Sequence, residues 1–87
     1  MAKNKHEDRK EEMKRQILDA FFTFRSNLPK EGYVQQNRTT QELLDDLTNM
    51  YYFKEDDIVE YLIENYYAPT TEPDGSVKWA IWRLIHH

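Results

Sequence analysis

Regular structure in this chain can be interrupted at few points. Its three prolines and two glycines fall in three places: Pro29 with Gly32, Pro69 alone, and Pro73 with Gly75. Proline cannot continue a helix, and it pushes the residue before it out of the helical region. Each place is therefore a boundary. The stretches before Pro29 and between Gly32 and Pro69 suit helices, whereas the stretch after Gly75 is rich in strand formers. An α+β chain with helices first and a hairpin last is expected.

Apolar spacing fills in this outline. From about Asp8, the residues Met13, Ile17, Ala20, Phe21, Phe24 and Leu28 recur at threes and fours and predict one helical face. Pro29 is expected to end that helix, and residues 33–38 suit a short strand. Thr39 and Glu42 have capping-box spacing ahead of a second helix carrying Leu43, Leu44, Leu47 and Met50. A third start follows at Lys54. Glu55, Asp56 and Asp57 fill its first turn, where carboxylates suit the helix dipole. Phe53 and Ile58 take the staple positions around that start. Ile58, Val59, Leu62, Ile63 and Tyr66 are expected inward, and Pro69 closes the helix. Glu72-Pro73-Asp74-Gly75 fits a type I turn followed by a left-handed residue. It joins a strand over residues 67–71 to one over 77–84, in which Val77, Trp79, Ile81 and Arg83 share a side.

At 87 residues the chain is expected to form one domain over residues 9–85, with residues 1–8 as a polar tail. A domain this small must fill its core with large side chains, and 14% of the residues are aromatic. There is no cysteine, which suits a reducing compartment. No apolar run approaches the roughly 20 residues that span a bilayer, and no signal-peptide pattern is visible. The expectation is a cytoplasmic protein with no membrane partner.

The net charge of −4 conceals a division. Residues 1–38 hold nine Lys and Arg against six Asp and Glu, a balance of +3; residues 39–87 hold three against ten, a balance of −7. Such asymmetry marks either a binding arm on a differently charged body or a solvated helix end.

The order helix, short strand, helix, tight turn, helix, hairpin resembles the winged-helix domain. The residues carrying the resemblance are Thr39-Thr40-Gln41-Glu42-Leu43-Leu44-Asp45-Asp46-Leu47, then Asp57-Ile58-Val59-Glu60-Tyr61-Leu62, then Asp74-Gly75-Ser76-Val77-Lys78-Trp79 at the wing tip. It covers about residues 9–85 and rests on topology and apolar spacing. It implies a winged-helix-like α+β fold: three helices, a C-terminal two-stranded wing and a short third strand. The tail also resembles the small winged-helix modules of replication and mobile-element proteins. In the winged-helix family the third helix usually enters the major groove, while the wing and the start of the second helix touch backbone. By position the reading residues are then Asp57, Glu60, Tyr61 and Glu64. Here the chain departs from the pattern, because residues 55–66 hold five acids and no base. DNA affinity comes mostly from Lys and Arg displacing counterions, and an acidic helix opposes that approach.

Two readings of function remain. In the first, a nucleic-acid-associated module in regulation, replication or mobile-element work touches phosphates elsewhere. Lys10, Lys14 and Arg15 form its basic arm, with Lys3, Lys5 and Arg9; Lys30, Arg38, Thr40 and Gln41 surround the second helix start, and Lys78 lies on the wing. Trp79 or Trp82 adds stacking or, more ordinarily, fills core. In the second, the fold serves protein–protein contact or dimerisation through Asp57, Glu60, Tyr61 and Glu64, or through Leu18 and Phe22. That last pair lies well round the first helix from Met13, Ile17 and Phe24, so it either packs on the hairpin or meets another chain. A basic first helix and an acidic third helix would also dock copies head to tail.

Enzymatic chemistry is not expected. The histidines are His6, His86 and His87, all terminal, so none is placed as a general base in a built site. Ser26 and Ser76 lack an evident partner, and two glycines make no phosphate-cradling loop. Asp56 and Asp57 read as dipole partners rather than ligands, so no metal and no cofactor are expected.

Overall fold

The structure is a computed structural model that describes the backbone of residues 5–85 and the side chains of residues 9–85. His86, His87 and Lys3, and the side chains of Lys5 and His6, lie outside the described residues. The described elements are α1 (Lys5–Phe21), β1 (Arg25–Ser26), β2 (Tyr33–Gln35), α2 (Thr40–Leu47), α3 (Glu55–Glu64), β3 (Pro69–Thr71), β4 (Val77–Trp79) and β5 (Trp82–Leu84). This is a small α+β fold with three helices and antiparallel strands.

The first helix departs most from expectation. It begins at Lys5, inside the segment expected as tail, and ends at Phe21, well short of Pro29. The Thr23 hydroxyl donates back to the Asp19 carbonyl at 2.8 Å, and the Arg25 amide to Phe22 at 3.0 Å. The chain then leaves as β1, whose Arg25 and Ser26 pair with Arg83 and Trp82 of β5. Ladder bonds to residues far along the chain outweigh local helix propensity there. Shortening the helix also turns its buried stripe. Leu18 and Phe22 are buried, with Ile17 and Phe21 packed partly against them, whereas Met13, Phe24 and Leu28, expected inward, are exposed.

Local signals set the next two starts. The Glu42 amide donates to Thr39 Oγ1 at 3.0 Å and the Thr39 amide to Glu42 Oε1 at 2.9 Å, closing the capping box. At α3 the Lys54 amide donates to Asp57 Oδ2 at 2.9 Å, and the staple residues Phe53 and Ile58 are both buried. Leu43, Leu47, Ile58 and Leu62 lie inward as the spacing predicts. Val59 is half-buried, but Met50, Ile63 and Tyr66 are exposed, and Tyr61 takes an inward place. Tyr61 wins it because its ring stacks on Phe22 at 5.3 Å between centroids while its hydroxyl donates to Asp19 Oδ1 at 2.7 Å. Burial first, then Asp19, raises the pKa of that phenol.

The end of α3 is a Schellman motif. The Tyr67 amide reaches the Leu62 carbonyl at 2.9 Å and the Tyr66 amide reaches Ile63 at 3.1 Å. The residue that must turn left-handed is Tyr66, at φ 65°, a position that favours glycine because a Cβ crowds the following carbonyl. The Tyr66 ring is 82% exposed, so it returns little packing. Tyr66→Gly is therefore expected to stabilise the fold by about 1 kcal/mol, or by about 4–8 °C in melting temperature for a domain of this size. A thermal melt checks this, and a lowered midpoint would show that the ring holds something in place.

The C-terminal strand run is divided. β4 pairs with β3, Thr70 opposite Lys78, and β5 lies between β1 and β2, with Val34 opposite Arg83. Arg38 and Trp79 form a further antiparallel bridge. The expected strand over 77–84 breaks at Ala80 and Ile81, where Ile81 turns into the core. Asn37 stabilises the break: its Oδ1 accepts from the Ile81 amide at 3.3 Å, and its Nδ2 donates to Glu72 Oε1 at 3.1 Å. The hairpin turn follows the sequence. Gly75 sits at φ 89°, and Asp74 Oδ1 accepts from both the amide and the hydroxyl of Ser76.

Candidate nucleic-acid interface

The charged halves of the chain meet inside one molecule. α1 presents Lys14 and Arg15, and α3 presents Asp57 and Glu64. Lys14 Nζ lies 3.0 Å from Asp57 Oδ2, with side chains only 15% and 20% exposed. Burial alone would lower the pKa of the Lys14 ammonium, but the Asp57 carboxylate outweighs it and leaves it raised. Arg15 Nη2 lies 3.2 Å from Glu64 Oε1 in a far more exposed pair. These are the ion pairs among the described residues.

Several expected roles change accordingly. Lys14 and Arg15 are not a free basic arm, because the helix they oppose holds them. Asp57 and Glu64 are equally engaged, so head-to-tail docking between copies is not needed to satisfy these charges. Leu18 and Phe22 are not an exposed contact pair; both are core, with Phe22 5.4 Å from the Tyr67 ring. Tyr61 is likewise buried rather than outward. Of the acidic set, Glu60 remains exposed without an ion pair among the described residues. The open groove along this seam is lined by charges of both signs, including Glu11, Lys14, Arg15, Asp57 and Glu64, and offers a phosphate no net attraction.

The remaining expected cations fall into two places. Lys10 is exposed on α1. Arg38, Thr40 and Lys78 are half-buried and come together where α2 begins and the hairpin passes. The Arg38–Trp79 bridge draws the strands together there, and Trp79 Nε1 donates to Thr40 Oγ1 at 2.9 Å. Gln41 lies at the same helix start but spends its amide on Asp45 Oδ1 at 2.9 Å. The Glu42 carboxyl is held below its usual range by the Thr39 amide first, with Lys78 and Arg38 adding to the effect. Lys30 stands exposed over the Tyr33 ring, 5.2 Å from its centroid.

Two cations outside the expected phosphate-contact set complete it. Arg25 of β1 lies directly opposite Arg83 of β5, and like charges across a strand pair are destabilising unless something neutral or negative separates them. Arg25 is half-buried, with its guanidinium 4.1 Å above the Phe21 ring. It also donates to the Phe21 carbonyl. Burial lowers its pKa first, and the neighbouring Arg83 lowers it further. Neither arginine has a carboxylate within ion-pair distance among the described residues. A single helix over residues 8–28 leaves Arg25 far from Arg83, whereas the end of α1 at Phe21 frees it for β1. The alternation of residues 77–84 did put Arg83 on one side of a strand, but gave it no neighbour.

Among the described residues, no group of His, Asp or Glu is placed to hold a metal ion, and no helix is long and apolar enough to cross a membrane. No protein-family model, curated protein or solved structure matches the chain.

Proposed function

We propose that this chain is a small non-enzymatic, nucleic-acid-associated module of winged-helix-like build that contacts phosphates through its sheet and hairpin. The third helix is not its reading element. The element order supports the fold reading: α1, two short strands, α2 and α3 come before a hairpin in which β4 pairs with β3, and the last strand, β5, lies between β1 and β2. One observation carries the function. The ion pairs close α1 on α3, while Arg25, Lys78 and Arg83 on the strands, Arg38 at the bridge to Trp79 and the nearby Lys30 have no ion-pair partner among the described residues. Cations left without counterions are what a phosphate backbone displaces its own counterions to reach.

Anisotropy titration of a labelled 20-nucleotide oligomer, single-stranded and duplex, at 50 and 200 mM salt tests this. Micromolar binding is expected at the lower salt. With about three or four phosphates neutralised, log K should fall against log salt with a slope of about −2 to −3 on the single strand and about −3 to −4 on the duplex. Arg83→Gln should weaken binding and flatten the slope. No binding of either oligomer at 50 mM salt would overturn the proposal.

A second reading, protein contact or a homodimer, rests on Ile63 and Tyr66, which stand 60% and 82% exposed around the C-terminal end of α3. Sedimentation of the wild type and of Ile63→Glu tests it. A dimer lost in the variant supports that reading, and a monomer in both removes self-association through this face.

A further inference from the structure

We infer that the nucleic acid this sheet accepts is single-stranded, with one base laid against Phe24 and Leu84 and the adjoining phosphate held between Arg25 and Arg83. This rests on the nucleic-acid reading and sharpens it. Phe24 precedes β1 and is 61% exposed. The Leu84 amide donates to its carbonyl at 2.9 Å, which continues the Arg25–Arg83 pairing by one residue and sets Phe24 opposite Leu84. These four residues line one open groove of about 450 Å³, within the size range that holds small aromatic ligands. Phe24 and Leu84 give it apolar walls, and its two charged residues are Arg25 and Arg83.

A second groove adjoins it and is polar. Ser26, Asn27, Lys30, Tyr33 and Tyr67 line it, and Arg25 lines both grooves. The molecule thus sets an apolar platform beside a cationic polar track, joined at one arginine. A single strand has that same alternation of flat apolar bases and anionic linkages. A duplex keeps the flat faces of its bases stacked inside and exposes only their edges and the phosphates, so it leaves Phe24 and Leu84 unused. An acidic peptide meets the guanidiniums but lacks regularly spaced flat rings for the platform.

The test compares a 15-nucleotide oligo-dT, a duplex of equal length and poly-Glu at 50 mM salt. Oligo-dT is expected to bind about ten-fold more tightly than the duplex. Phe24→Ala should lower oligo-dT affinity roughly ten-fold, toward the lower end of the range for losing one stacked base, and leave the duplex unchanged. Phe24→Trp should restore it. Phe24 is largely exposed, so both variants are expected to keep the wild-type circular dichroism, which is recorded alongside. Arg83→Gln should weaken both nucleic acids. Equal affinity for oligo-dT and duplex, with Arg83→Gln still weakening both, would remove the platform while leaving the nucleic-acid reading intact. An unchanged affinity in Phe24→Ala would do the same. Failure of both oligomers to bind would remove both claims, and poly-Glu binding as tightly as oligo-dT would overturn the choice of ligand.

Discussion

Replacing Phe22 with alanine is expected to cost about 3–5 kcal/mol, the range for removing a buried aromatic ring. The ring is 6% exposed and lies 5.1 Å from Phe21, 5.3 Å from Tyr61 and 5.4 Å from Tyr67 by centroid. It joins the end of α1 to α3 and to the chain entering β3. At roughly 0.05–0.15 kcal/mol per residue, a domain of this length has a total stability of about 4–13 kcal/mol. The variant should therefore be substantially unfolded at 25 °C or lose most of its urea midpoint, followed by the fluorescence of Trp79 and Trp82. The outcome also separates two roles for the residue. A core ring costs stability, whereas an interface ring would change the oligomeric state and leave the fold intact. A loss below about 1 kcal/mol would place Phe22 outside the core.

The second large effect is at Asp57, because one carboxylate does two jobs. Its Oδ2 accepts from the Lys54 amide at 2.9 Å and from Lys14 Nζ at 3.0 Å. Asp57→Ala is expected to cost about 2–3 kcal/mol, combining about 1 kcal/mol for the lost cap with the loss of a largely sheltered partner for Lys14. Asp57→Asn retains an acceptor for the amide and should cost less. Lys14→Met should be milder still, since its stem packs as lysine's does and Asp57 keeps its helix amide. A double-mutant cycle then isolates the pair. Coupling of about 1 kcal/mol is expected for Lys14–Asp57, against at most about 0.5 kcal/mol for the exposed Arg15–Glu64 pair. Equal coupling in the two cycles would mean that sheltering adds nothing to the seam.

What could be read from the sequence follows the range of the interaction responsible. The Thr39–Glu42 box, the Phe53–Ile58 staple and the Pro73-Asp74-Gly75 turn are each closed within a few residues, and each formed as its spacing predicts. The end of α1 was not legible because Arg25 and Ser26 take their hydrogen-bonding partners from β5, near the other end of the chain. That one long-range pairing also moved the buried stripe to Leu18 and Phe22. It also put Arg25 on a strand, within the stretch expected as helix. The exchange of Tyr61 for Ile63 has a similar origin, since a phenol can enter the core only where an acceptor such as Asp19 waits for it.

The site was legible in composition but not in place. The division into +3 and −7 was visible, and it invited a picture of two surfaces seeking outside partners. Lys14 and Arg15 instead answer Asp57 and Glu64 in the same chain. The cations left without such a partner among the described residues include Arg38 and Lys78, which the sequence brings forward, and Arg25 and Arg83, which only the strand register unites.

The central claim is that the α1–α3 seam is closed and the sheet is the face turned to nucleic acid. Amide chemical-shift mapping on the ¹⁵N-labelled protein during an oligo-dT titration reads both halves at once. The account predicts progressive shifts at Phe24, Arg25, Ser26, Lys30, Arg38, Arg83 and Leu84, with the amides from Glu55 to Glu64 unmoved. The largest shifts along Glu55–Glu64, with the sheet amides silent, would contradict it.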